Sequence, residues 1–263
     1  GLGPLLASLR FRRAVQAACA ALALVVVLDG LLGPGSGPLN LAGVLPWTWW
    51  RAFVVVGLLV AGNLFCFACP FMGARDLGRR LLPARWRWPR VLRSKWLAAG
   101  LLAAYLVGYE VFDLWDDPSA TAVLVLAYFA GAVVVDGLFR GASFCRYVCP
   151  IGQFHFVGST LSPLEVKVRE RAVCGSCTTR DCIRGNDRAR GCELALFAPA
   201  KVGNLDCTFC LDCVRACPHE NVGLLAARPS RELSDDRPRS SIGRLSRRPD
   251  LAALAGVVTA GAF

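Results

Sequence analysis

Four apolar runs, each about as long as a bilayer is thick, leave this chain few ways to fold. They extend over roughly Ala14–Leu32, Trp47–Cys66, Trp96–Trp115 and Ala120–Arg140. About 20 residues of helix cross a hydrocarbon core, and in lipid a helix satisfies every backbone N–H and C=O within its own segment. Each run is therefore predicted as a transmembrane helix. Hydrophobic residues make up 55% of the 263, too many for a water-soluble domain of this length. A fifth apolar run begins at Leu251 and is cut off at Phe263, and the chain opens on Gly1 without a methionine. A piece of a longer protein is expected. The "RFRR" before the first run looks like the charged start of a signal peptide, but no small-residue cleavage site follows.

Positive charges set the expected orientation. Arg10, Arg12 and Arg13 precede the first run, and the stretch between the second and third carries Arg75, Arg79, Arg80, Arg85, Arg87, Arg90, Arg93 and Lys95. Between the third and fourth runs stand Glu110, Asp113, Asp116 and Asp117, with no Lys or Arg. Both ends of a four-span bundle then face the cytoplasm, across a bacterial inner membrane. Trp47, Trp49, Trp50 and Trp115 suit the outer aromatic belt, and Trp86, Trp88 and Trp96 the inner one. The net charge of +11 is accounted for by inner-face residues meeting anionic lipid. Nucleic acid is not an expected partner, because no reading motif accompanies the charge.

The chemistry lies in the cysteines. "CTFCLDCVRACPHE", from Cys207 to Glu220, spaces four of them two, two and three residues apart and puts a proline after the last. That run suits a [4Fe–4S] cluster: three thiolates come from a tight loop, and the fourth reaches a neighbouring cluster. Zinc sites use two separated pairs, and disulfide frameworks belong to small secreted domains. Upstream, "CGSCTTRDCIRGNDRARGC" supplies Cys174, Cys177, Cys182 and Cys192, again three close together and one apart. The expected grouping crosses over. Cys174, Cys177 and Cys182 join Cys217, and Cys207, Cys210 and Cys213 join Cys192, to hold two [4Fe–4S] clusters. A structural zinc at the first group is the alternative. Arg180, Arg184, Arg188, Arg190 and Arg215 form a basic surface beside these cysteines or raise the potential of what they bind.

A second pattern repeats at the ends of the even-numbered runs. "FCFACPFMG" spans Phe65–Gly73 and "FCRYVCPIG" spans Phe144–Gly152. Two helical hairpins packed side by side would bring Cys66, Cys69, Cys145 and Cys149 together at the membrane surface. They could then hold a third cluster, form redox-active dithiols, or remain inert thiols. Cys19 is alone in the first run and reads as a small apolar residue.

These motifs carry a resemblance. With "CFACP", "GLFRGASFCRYVCPIGQFHF" and "CTFCLDCVRACP", most of the chain resembles the membrane-bound polyferredoxins of the NosR/NapH/CcoG type, among members lacking the flavin domain. "CFACP" has two residues between its cysteines where relatives have three. The resemblance implies a membrane all-α helical bundle, with four spans and the start of a fifth, and a small α+β ferredoxin-like two-cluster domain. Residues 1–160 would form the transmembrane region with its two cytoplasmic Cys-Pro motifs and 161–227 the cytoplasmic cluster domain. Residues 228–250 would be a basic linker, and 251–263 the start of a further helix. It also implies an electron-transfer component rather than a stand-alone catalyst. Its partners would be membrane lipid, a soluble ferredoxin or flavoprotein donor, and a membrane redox enzyme or quinone. A copper reductase or assembly factor for a respiratory enzyme is the second reading, and a redox sensor the third.

Outside the cysteines, Asp136 and Arg140 are expected to form an i, i+4 ion pair, with a proton or quinone site as the sharper reading of Asp136. Asn63 is expected to tie two helices together. Asp29, Glu110 and Asp113 are expected at the outer surface. His155 is expected at the membrane interface, and His219 at the surface or beside a cluster ligand.

Overall fold

The computed structural model describes residues 2–234, 240–242 and 244–261. Residues 235–239 and 243 of the expected linker and the last two of the expected fifth helix lie outside the described residues, as does Gly1. The chain is mostly helical. Helix α1 covers Leu9–Leu32, with Ser8 accepting from the Phe11 amide at 3.5 Å as its N-cap. Helix α2, Leu41–Ala61, contains a five-residue π turn at Leu45–Trp49, where Pro46 brings no amide donor. Two shorter helices follow, α3 at Leu64–Ala68 and α4 at Phe71–Leu81. Helix α5 covers Trp96–Val111 and α6 covers Pro118–Leu138, the latter capped by Asp117. Helix α7 is Pro150–Gly158. Strand β1, Leu164–Val168, pairs antiparallel with β2, Val222–Ala226, in the register Leu164 to Ala226 and Val168 to Val222. Helix α8 is Pro249–Ala260.

Three helices, α1, α2 and α6, are long and apolar enough to cross a membrane. Their outward faces are bare hydrocarbon: Leu24, Phe53, Val60 and Val123 are 58%, 65%, 65% and 58% exposed. Such surface is unstable in water and natural in lipid. The third predicted run differs from expectation. Its helix stops at Val111 after 16 residues, about 24 Å at 1.5 Å per residue, and residues 112–116 form turns, with Asp113 left-handed at φ 46°. The second run also ends earlier than Cys66. Gly62, at φ +82°, breaks the helix, and a Cβ there would stand 2.6 Å from the ring of Phe209.

Helix α4 lies flat against α6. The approach is so close that a Cβ on Gly78 would come within 2.2 Å of the Val133 carbonyl. Helix α8 packs against α5 through Leu254, Leu102 and Leu106. The two-stranded sheet closes the cysteine-rich segment, whose core joins Val166 and Val222 to Phe209, Leu211, Cys182 and Cys217. Phe67 of α3 is buried in the same core, so the end of α2 and the cysteine-rich segment are packed as one piece.

Candidate functional site

The two cysteine runs fold into each other. Cys174, Cys177 and Cys182 line one small cavity together with Cys217. Cys207, Cys210 and Cys213 line a second together with Cys192. All are free thiols. The Cys207–Cys213 loop is wound tightly enough to turn its three thiols into one space because Asp206, Phe209 and Leu211 adopt left-handed backbone, at φ 62°, 51° and 57°. N–H groups are aimed at sulfur: Cys192 accepts from the Leu196 amide at 3.3 Å, Cys217 from the Asn221 amide at 3.4 Å, and Cys174 from the Asn221 side chain at 3.2 Å. Such donors favour thiolates. Burial pushes the Cys210 thiol up to about 12, and the neighbouring Cys192 and Cys207 sulfurs add to the rise. Such a thiol holds its proton until a cation displaces it. Among the described residues, no three His, Cys, Asp or Glu side chains converge closely enough for a single ion.

The Cys-Pro motifs form a third set. Cys66 lies on α3, and Cys69 ends that helix just before Pro70 starts α4. Cys145 lies in a second π turn, Phe144–Val148, and Cys149 N-caps α7, its sulfur accepting from the Gly152 amide at 3.2 Å. Cys66, Cys69 and Cys149 are buried. Cys145 packs against both the cluster of side chains around Cys66 and the one around Cys69 and Cys149. The unequal spacing of the two motifs has a structural counterpart. The Cys149 amide reaches back five residues to the Phe144 carbonyl at 2.8 Å, so the extra residue of "CRYVC" is taken up in a π turn, while "CFAC" ends an ordinary α turn.

The three thiol sets share walls. Cys145, Cys192 and Cys207 all pack on Ala142, Leu194 and Leu196. Cys207 and Cys213 pack on the core that holds Cys182 and Cys217. The order is therefore the Cys-Pro set, then the Cys192 set, then the Cys174 set. Asn63 fastens the first junction. It lies past the end of α2 rather than between two spans. Its oxygen caps α3 by accepting from the Cys66 amide at 3.2 Å, and its nitrogen donates to the Cys207 carbonyl at 3.0 Å.

A buried ionic group stands at the same junction. The Arg75 guanidinium donates to Asp136 and, at 3.1 Å, to Glu193, and Arg79 pairs with both acids. The expected Asp136–Arg140 pair is replaced. Helix α6 ends before Arg140, whose amide instead donates to the Trp86 carbonyl at 2.9 Å, and the second oxygen of Asp136 accepts from the Phe144 amide at 2.8 Å. Asp136 thus holds the start of the second Cys-Pro motif to the helix that follows the first. Glu193 is raised by burial, but Arg75 and Arg79, with Arg190, outweigh this and bring it down to about 2. Arg75 and Glu193 line the Cys192 cavity as well.

The chain is similar to several described proteins. No protein-family profile and no solved structure matches it. It is 25% identical over 195 residues to YccM of Escherichia coli, described as an electron transport protein, covering 64% of this chain and 52% of YccM. It is 26% identical over 183 residues to the ferredoxin-type protein NapH of the same bacterium, covering 63% of each. It is 26% identical over 187 residues to the regulatory protein NosR of Pseudomonas aeruginosa, covering 61% of this chain and 24% of NosR. The chain is thus similar in sequence to proteins of the NapH and NosR type. It spans about half the length of YccM and a quarter of NosR.

Sequence reasoning treated Arg75 as one charge of a basic loop. A signal was present, since Phe71, Arg75 and Gly78 fall on one buried face of α4 at helical spacing. It also placed His155 at an interface, whereas His155 is 1% exposed, stacks on Phe65 at 4.2 Å between ring centres, and leaves Nδ1 without a hydrogen bond. His155 lines a cavity of about 200 Å³ walled by Trp47, Tyr105, Tyr109 and Phe154, with Arg51 beside them. His219 lines the Cys174 cavity from its exposed side.

Proposed function

We propose that this chain is a membrane-anchored electron-transfer protein with three cluster sites. Cys174, Cys177, Cys182 and Cys217 would hold one [4Fe–4S] cluster, Cys192, Cys207, Cys210 and Cys213 a second, and Cys66, Cys69, Cys145 and Cys149 a third. A [4Fe–4S] cluster supplies a one-electron carrier that makes and breaks no substrate bond. The observation that carries the reading is the crossed grouping of thiols around two cavities, three from one run and one from the other in each. The relatives' descriptions as electron transport and ferredoxin-type proteins support it.

The chain's own residues would set the path. Asn63 and Cys145 hold the Cys-Pro thiols against the Cys192 set, and the paired Arg75, Asp136 and Glu193 stand at the same junction. Cys174 and Cys177 are only partly buried and are flanked by the exposed Gly175, Ser176, Thr178 and Thr179, and this is where a soluble ferredoxin or flavoprotein would meet the chain. At the membrane end, the aromatic cavity with the unpartnered His155 nitrogen suits a quinone head group, because a buried donor or acceptor without a partner is costly unless a ligand satisfies it.

Four crossings and a cytoplasmic cluster domain belong to this reading. Cys66 follows α2 and Cys145 follows α6, and the two pack together. The chain must therefore cross an even number of times between them. Helix α6 is one crossing, so α5, although short, would be the other. Protein purified without oxygen should contain about eight irons per chain from the soluble segment and about twelve with the Cys-Pro site. Zinc with little iron would overturn the proposal.

A further inference from the structure

A groove of about 530 Å³ opens between the start of α1, the flank of α4 and the loop at Asp187–Arg190. Its upper rim is cationic. Arg12, Arg13, Arg80, Arg188, Arg190 and Arg215 line it. Its acids are mostly engaged: Asp212 pairs with Arg12 and Arg215, Asp76 with Arg190 at 2.6 Å, and Glu193 with Arg75 and Arg79, while Asp187 stays exposed at the edge. Arg13, Arg80 and Arg188 have no ion pair among the described residues, and all three are exposed.

The lower wall is apolar and faces lipid. Arg13, Ala17, Ala20, Leu24 and Leu28 follow one another at spacings of four, three, four and four along α1, which puts them on one face. Leu24 and Leu28 are 58% and 47% exposed, and Leu77 of α4, across the groove, is 50% exposed. A guanidinium stands at the top of a hydrocarbon stripe long enough for an acyl chain. Apart from Asp187 at the edge, the charge without an ion pair among the described lining residues is positive and lies where a head group would sit.

We propose that this groove binds one anionic phospholipid, its phosphate among Arg13, Arg80 and Arg188 and its acyl chains along Ala17, Ala20 and Leu24. Basic pockets between helix ends at a membrane face recognise such head groups, and the small alanines leave room for a chain against the helix. The site is independent of any cluster.

The test is native mass spectrometry and thermal unfolding of the full chain in detergent. The probes are dioleoyl phosphatidylglycerol, dioleoyl phosphatidylcholine, inorganic phosphate and poly-glutamate. Phosphatidylglycerol should bind saturably at one per chain and raise the Tm, and phosphatidylcholine and phosphate should do neither. The triple variant R13Q/R80Q/R188Q should bind it at least about tenfold more weakly. A control, R85Q/R87Q/R90Q, removes equal charge from exposed positions elsewhere and should bind normally. Equal loss in both variants would reduce the effect to bulk attraction and overturn the site. Equal binding of phosphatidylcholine would overturn it too, as would phosphate binding as tightly as the lipid. Saturable poly-glutamate binding lost only in the first variant, without preference for the lipid, would reassign the groove to an acidic protein.

Discussion

Arg75 is a permanent cation sealed from water, at 2% exposure, and held by Asp136 and Glu193. Such a group is neutral in cost only while its partners stay. Arg75→Met leaves Asp136 charged and fully buried and should destabilise the protein by about 3–5 kcal/mol. The double variant R75M/D136N, which removes both charges and keeps an oxygen for the Phe144 amide, should recover most of that loss. Thermal unfolding in detergent measures both, and a double variant less stable than the single one would contradict the argument. Glu193 adds a pH signature. Its carboxyl is held at about 2 in the fold against an ordinary 4.5, so its stabilisation is complete above pH 4.5 and fades as pH falls toward 2. Glu193→Gln should therefore cost stability at pH 7, and the gap to the wild type should narrow below pH 4.5. A gap independent of pH would mean that packing, not charge, is responsible. None of these partnerships was legible in the sequence. Asp136 lies 61 positions from Arg75 and Glu193 lies 118 away, and no local spacing reports contacts of that reach. The i, i+4 rule pointed to Arg140 only because it assumed that α6 continues.

At the scale of elements, the two Cys-Pro motifs were legible as a repeat, while their geometry was not. A difference of one residue reads as a defect on paper. In the fold it is a π turn, which needs the Phe144 amide held by Asp136 and a carbonyl placed to receive the Cys149 amide, neither visible locally. If both motifs serve one cluster, Cys69→Ser and Cys149→Ser should each remove the same spectroscopic signal and about four irons. The double variant should then lose no more, because residues acting as one unit are not additive. An intact signal in Cys149→Ser would separate the motifs. The grouping of the other eight cysteines is the most legible part of the site, since three-plus-one spacing in both runs leaves crossing over as the simplest way to complete each set. Asn63 was read as a bond between spans because the apolar run continues through it. Gly62 ends the helix first, for reasons that lie in the Phe209 ring it must accommodate.

For the whole molecule, the parity of crossings ties fold to function. The Cys-Pro set can form only if both motifs reach one membrane face, and that face must also hold the segment bearing Cys192 and Cys207, against which Cys145 packs. Helix α5 is about 24 Å long against a core of about 30 Å. As a crossing its shortness would be tolerable because Ala98, Ala99 and Leu102 are buried rather than left to lipid, the last two against Leu254 of α8. The charges agree with an inner location for the motifs, although less strongly than a count suggests. Arg75 is spent on Asp136, and Lys95 is buried with Asp206 and Gln153, leaving Arg80, Arg85, Arg87 and Arg90 exposed. On the proposed four-span topology these lie on the side of the motifs, and the turn at Glu110–Asp117, which has no Lys or Arg, lies on the other. A green fluorescent reporter fused after Ala227 should therefore fluoresce, and alkaline phosphatase inserted after Asp116 should be active. Moving the phosphatase to Ala84 should silence it. If the enzyme is active at both Asp116 and Ala84, α5 does not cross, and the shared Cys-Pro site falls with it.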